Sequence, residues 1–176
     1  MRIEREQTAA LIVDYQEKLV PVMSEKETLI RNSEILIKGL KVLDIPMYIT
    51  QQYTKGLGTS IKEITDAVED DVYTDKLSFT AYDCIKDKIS TKKFIVVCGI
   101  EAHICVLQTV LDLKTAGYVP VLVADCISSR KESDKQVALE RARQEGAIVT
   151  TYESLLFELL KEAGTETSKK IQKMIR

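Results

Sequence analysis

The chemistry open to this chain turns on sulfur and carboxylate groups, because it holds one histidine, His103, against four cysteines, Cys84, Cys98, Cys105 and Cys126. The cysteines form no C-x-x-C pair and no small-scaffold spacing, and one imidazole is too few for a Cys/His metal cage. They read as free thiols, with a reducing cytoplasmic location as the matching expectation. Cys105 stands a few residues beyond the apolar run FIVVCG, where the first turn of a helix should lie. Helix amino termini offer unpaired N–H groups and positive potential, which favour a thiolate and can receive an oxyanion. The alternative for Cys105 is a buried cysteine acting as a small hydrophobe. Cys98 inside the apolar run and Cys84 in a helix read as core, and Cys126 as structural. His103 is two residues from Cys105, and such positions on a helix face apart, so a direct Cys–His dyad is not expected. A base for the thiol must come from elsewhere.

The elements that would position such groups follow from apolar patterning. Short unbroken apolar runs at 8–13, 47–50, 94–98, 119–124 and 147–150 are of strand length, and 71–74 is a further short strand. Helical spacing or flanking breakers place helices at about 29–43, 82–89, 103–116, 134–144 and 154–162. Continuous apolar strands alternating with helices predict an α/β fold: a Rossmann-like three-layer αβα arrangement with a six-stranded parallel sheet covered on both faces. One domain over 1–163 is expected, followed by a polar tail, 164–176, with a weak helical pattern in Ile171, Met174 and Ile175 that could dock or fray. In open α/β sheets, sites form at the carboxyl ends of the strands. Asp14 follows the first strand, Lys76 the third, Cys105 the fourth and Asp125 the fifth. Asp14, after five apolar residues, would have its pKa raised by desolvation unless a cation opposes it. It could equally be a structural cap. Lys76 stands in TDKLSFTAY, among apolar and aromatic residues rather than in a charge run.

Composition narrows the function classes. With 176 residues, 45% hydrophobic and 30% charged, the chain has the makeup of a soluble globular domain. A net charge of -2 leaves no electrostatic footprint for nucleic acid or an acidic membrane surface. No apolar run approaches membrane-spanning length. The charged start MRIEREQ is a poor secretory signal.

The segments ALIVDYQ around Asp14, DKLSFTAY around Lys76 and VVCGIEAHICV around Cys105, followed by VLVADCISSR and QEGAIVTTYESLLFELL, resemble in order the isochorismatase-like superfamily of cysteine hydrolases. The resemblance spans about residues 8–157. It implies an Asp–Lys–Cys catalytic triad of Asp14, Lys76 and Cys105. In this scheme Asp14 is the base and Lys76 stabilises charge, while Cys105 forms a thioester with a small amide or related acyl compound. It also implies an oxyanion hole from the backbone N–H groups of Glu101 and Cys105, and a cis peptide between Ile100 and Glu101. Candidate pocket residues are Gln16, Gln52, Tyr53, Phe79 and His103. The nicotinamidase branch carries an aspartate and histidines in the loop after the second strand. Here that loop reads TQQYTKGLGTS, so neither a metal nor any other cofactor is expected. Ala102 replaces a threonine common in relatives, a form at home in the metal-free branch of mostly unassigned substrate. A small-molecule substrate and a homo-oligomer are the expected partners.

Two alternatives remain at this level: an isochorismatase-type vinyl-ether hydrolase, and a catalytically idle member serving as a scaffold. A receiver-like domain would want an acidic pair after the first strand, and a dinucleotide binder would want G-x-G-x-x-G where DYQEKLVP stands. Both are disfavoured.

Overall fold

The computed structural model describes residues 1–69 and 72–176. Its centre is a six-stranded, all-parallel sheet in the order β3-β2-β1-β4-β5-β6. In chain order the elements are β1 (Thr8–Val13), α1 (Lys26–Val42), β2 (Met47–Gln52), α2 (Thr54–Leu57), α3 (Lys62–Val68), β3 (Thr74–Lys76) and α4 (Tyr82–Ile85). There follow β4 (Phe94–Ile100), a π-helical turn (Ala102–Val106), α5 (Leu107–Thr115), β5 (Val119–Ser128), α6 (Glu132–Gln144), β6 (Ile148–Thr150), α7 (Tyr152–Leu160) and α8 (Glu166–Ile175).

Side chains on a strand alternate between faces, so continuous apolar strands feed two cores. Ala10 and Ile12 of β1 and Val96 and Cys98 of β4 join Leu36, Ile37 and Leu40 of α1, Leu155 and Leu156 of α7 and Ile171 of α8. Ala9, Leu11 and Val13, with Ile95 and Val97, instead meet Val110 and Leu113 of α5 and Ala138, Leu139 and Ala142 of α6. This is the expected three-layer architecture. The segment after Gly164 forms α8, capped by the Thr165 hydroxyl on the Ser168 N–H and anchored by a fully buried Ile171.

Several boundaries differ from the sequence reading, each for a visible reason. The third strand comprises residues 74–76, so Lys76 is its last residue rather than the next one; position 71 of the expected strand lies outside the described residues. The fifth strand does not stop before Asp125 but continues to Ser128 through an irregular stretch: Leu122 pairs with Val97 of β4, and the next paired residue of β5 is Ile127, opposite Gly99. Backbone groups freed at such a bulge must find other partners. Asn32 Nδ2 donates to Asp125 O (3.1 Å) and Tyr15 Oη to Cys126 O (2.6 Å). The Asp125 carboxylate accepts the Tyr152 N–H at the start of α7 (2.9 Å), so it serves that junction and not the crevice.

The chain leaves β1 toward β2 and β3 on one side and re-enters at β4 toward β5 and β6 on the other. The switch point therefore lies between the carboxyl ends of β1 and β4, where a crevice opens. Here the backbones approach closely. Gly99 has φ +134°, and a Cβ there would collide with the Val13 carbonyl.

Candidate active site

Asp14 is the first residue beyond β1, in a left-handed conformation (φ 56°) that turns the chain sharply. Its side chain is fully buried. Thr50, which pairs with Val13 across β1 and β2, donates its hydroxyl to Asp14 Oδ1 at 2.8 Å. Asp14 Oδ2 lies 2.7 Å from Lys76 Nζ, an ion pair almost wholly removed from water. The alignment is not that of a hydrogen bond, and Oδ2 has no hydrogen-bond partner among the described residues. Four oxygens crowd an ammonium that has only three N–H groups. Lys76 Nζ donates to Gln52 Oε1 (2.7 Å), Phe79 O (3.0 Å) and Ser78 O (3.2 Å), so its close contact with Asp14 Oδ2 is mainly that of an ion pair.

Cys105 lies in the π-helical turn between β4 and α5, 6% exposed. The Ile100–Glu101 peptide before this turn is cis. The Glu101 carbonyl accepts the N–H groups of Ile104 (3.1 Å) and Val106 (3.2 Å), passing over that of Cys105 between them. Thr109, buried in α5, donates to Cys105 O (2.7 Å) and accepts from Ala81 N (2.9 Å), tying the turn to the segment after Lys76. The Cys105 thiol interacts with both Asp14 and Lys76, and its sulfur stands 4.0 Å from Gln52 Oε1.

Burial sets the protonation states. Desolvation raises the Asp14 carboxyl above its ordinary range, against the opposing pull of Lys76 and the Thr50 hydroxyl. Desolvation, reinforced by the Asp14 charge and only partly offset by Lys76, pushes the Cys105 thiol up to about 12. The expectation of a thiolate favoured by a helix amino terminus is therefore reversed at rest. Cys105 sits within a buried turn beside a carboxylate, and that environment outweighs the helix field.

The other candidates separate into groups. Gln16 is fully buried; its Nε2 donates to Gln52 O (2.9 Å) and Gly58 O (2.7 Å) while its Oε1 accepts Gln52 N–H (2.7 Å). It clamps the loops after β1 and β2 together. Gln52 faces Lys76 and Cys105, and its Nε2 donates to Leu77 O at 2.9 Å. Tyr53 and Phe79 are exposed, at 49% and 54%, and with Leu77 they flank Lys76 as an apolar rim. His103 lies apart from the thiol: its Nδ1 is 2.9 Å from Ser129 Oγ, and its Nε2 is 3.9 Å from Asp134 at the start of α6. The Glu101 carboxylate accepts the backbone N–H and Nε of Arg130. Thr50, Thr109 and Arg130 escaped the sequence reading. Thr50 alone left a signal, as a hydroxyl ending the apolar part of a strand beside the one that carries Asp14. Cys84 of α4, read as core filler, is only half-buried and feels the charges of Lys76 and Asp14. Among the described residues no group of three or more His, Cys, Asp or Glu side chains could hold a metal ion. No helix of the described residues is long and apolar enough to cross a membrane.

Comparison with known proteins gives this arrangement its context. Residues 8–154 match the isochorismatase domain family. A secreted isochorismatase effector, Isc1, of Phytophthora sojae is 35% identical over 94% of this chain and 82% of its own length. Isochorismatase domain-containing protein 2A of Mus musculus is 33% identical over 99% of this chain and 85% of its own. The solved structure of MAR1 ribonuclease from Caenorhabditis elegans superposes with a TM-score of 0.94 at 32% identity, over 99% of this chain and 92% of that one. On the match over residues 8–154 and these near full-length relatives, the chain belongs to the isochorismatase family of hydrolases.

Proposed function

We propose that the chain hydrolyses a small amide or related acyl compound through a thioester on Cys105, with Asp14 as the acid–base and Lys76 as the fixed cation. The observation that carries this reading is the unpartnered Asp14 Oδ2, buried beside a lysine whose protons are committed elsewhere and beside a protonated thiol. Such an oxygen is suited to take one proton and return it.

In the proposed cycle, Asp14 Oδ2 accepts the Cys105 proton as the sulfur electron pair attacks the carbonyl carbon. The oxyanion lies against the N–H groups of Glu101 and Cys105. Collapse expels the amine, which takes the proton from Asp14, and leaves the thioester. Water then gives a proton to Asp14 as it attacks, and the acid leaves with the thiol restored. Lys76 keeps positive charge beside a carboxylate that alternates between ionised and neutral. The apolar rim of Tyr53, Leu77 and Phe79 supports an uncharged small-molecule substrate. Its exposure also supports association with a second copy over the same mouth. Light scattering of the purified protein tests that association; a monomer at all concentrations rejects it.

A panel of small amides assayed beside the Cys105→Ala protein tests the main reading. Turnover is expected in the wild type and absent from the variant, with the fold unchanged; equal hydrolysis by both would sink it. The relatives named as an isochorismatase effector and as a ribonuclease make isochorismate, read by pyruvate release, and RNA the informative additions. Pyruvate release that survives Cys105→Ala would favour the vinyl-ether reading.

A further inference from the structure

Gln52 ends β2 with 9% exposure, and its side-chain oxygen touches both Lys76 and Cys105. Its orientation is settled by its neighbours. Nε2 donates to Leu77 O, and the backbone N–H and carbonyl are both bonded to the Gln16 amide, so Oε1 must face inward. That oxygen takes a Lys76 proton at 2.7 Å and stands 4.0 Å from the Cys105 sulfur. An amide oxygen accepts hydrogen bonds but is far too weak a base to remove a thiol proton.

We propose that Gln52 is a positioning residue whose Oε1 diverts a Lys76 proton away from Asp14 and holds the Cys105 proton at rest, keeping Asp14 Oδ2 open to receive that proton when a carbonyl arrives. The proposal deepens the reading of Cys105 as nucleophile and Asp14 as base, and rests on it. In the step it serves, the S–H bond breaks and an O–H bond forms on Asp14, while the sulfur electron pair goes to the carbonyl carbon. The ionisable groups acting on the thiol are Asp14 beyond β1 and Lys76 in β3; Glu101 at the head of its turn is bonded to Arg130, His103 within the turn faces Ser129, and Cys84 of α4 feels the same two charges.

The two substitutions of choice act in opposite directions. In Gln52→Met the length is kept and the acceptor lost. A Lys76 proton then turns to Asp14 Oδ2, and the thiol loses the partner that favoured its neutral form, so it ionises at lower pH. In Gln52→Glu the acceptor for Lys76 is kept and a negative charge is placed beside the sulfur, so the thiol ionises at higher pH.

The experiment is iodoacetamide alkylation of Cys105 in the wild type and both variants across the neutral and alkaline range, mapped by peptide mass. The expected result is a Gln52→Met profile moved to lower pH, with labelling at a fixed pH faster by roughly threefold or more, about half a pKa unit. The Gln52→Glu profile moves to higher pH. Meanwhile hydrolysis by Gln52→Met slows at unchanged KM, a divergence from its faster labelling that loosened packing would not produce. Cys98 and Cys126, both fully buried, must stay unlabelled, which reports an intact fold. If they become labelled in Gln52→Met, the direction of Gln52→Glu decides. Profiles that coincide with the wild type, or that move the same way in both variants, overturn the proposal. Opposed shifts in a protein that hydrolyses nothing would sink the proposed function and leave the positioning role standing.

Discussion

Asp14 and Lys76 form an ion pair almost wholly removed from water, an arrangement that costs desolvation of both charges. Folding raises the Asp14 pKa. Between the ordinary carboxylate value and the raised one the folded chain therefore binds more protons than the unfolded chain, and this group's contribution to stability falls as pH rises through that window. Removing one partner strands the other charge in the core, so Asp14→Asn or Lys76→Met alone is expected to cost about 3–5 kcal/mol, whereas the double variant costs far less. Denaturant melts of the three proteins measure this, and additive losses would contradict it. The same states shape the rate. The proposed cycle needs Asp14 ionised and Cys105 carrying its proton, so kcat/KM is expected to rise through an acid limb above the ordinary Asp value of 3.8. It then stays level through mildly alkaline pH, because the thiol sits near 12. An alkaline limb at the ordinary thiol value of 9.0 would contradict the protonated resting state.

Three elements hold these residues in register. β1 ends between Thr50 and Gly99, its partners on β2 and β4, so Asp14 emerges at the switch point with its turn already directed. The short β3 pairs Lys76 with Gln52, bringing the cation level with the carboxylate. The π-helical turn interposes residues between β4 and α5 and carries Cys105 on a backbone braced by Thr109. Replacing Thr109 with Val would leave the buried Ala81 N–H without its hydroxyl acceptor, at about 1–3 kcal/mol, and would remove the hydroxyl that braces the Cys105 carbonyl. A lower melting temperature together with reduced kcat is the expected outcome; an unchanged melt would show that water satisfies the Ala81 N–H.

At the scale of the whole molecule, the two cores do different work. One seats α5 and α6 and thereby places the turn that carries Cys105. The other gathers α1, α3, α7 and α8 into a support remote from the crevice. α8 belongs to that support through Ile171, which is completely buried. Ile171→Ala is expected to cost about 2–5 kcal/mol, as for other large-to-small changes in a core. Equilibrium unfolding measures it, and no loss would mean that the helix frays in solution. Hydrolysis at temperatures well below the melt should be unaffected, since α8 lies far from Cys105 in the layer order.

The apolar runs by themselves determined the strands, and their alternation with helices determined a parallel sheet with two covered faces, because burial on both sides leaves a continuous hydrophobic signature. With the strand-end rule, that was enough to bring Asp14, Lys76 and Cys105 to one edge of the sheet. Boundaries at β3 and β5 were less legible, since a three-residue strand has almost no period and a bulge is stabilised by distant side chains such as Asn32 and Tyr15. The sequence could not reveal that the thiol rests protonated, that Lys76 spends its protons on Gln52, Ser78 and Phe79, or that His103 turns toward Ser129. Those facts depend on desolvation and on the count of donors and acceptors within a few ångströms, which exist only once residues far apart in the chain have been packed together.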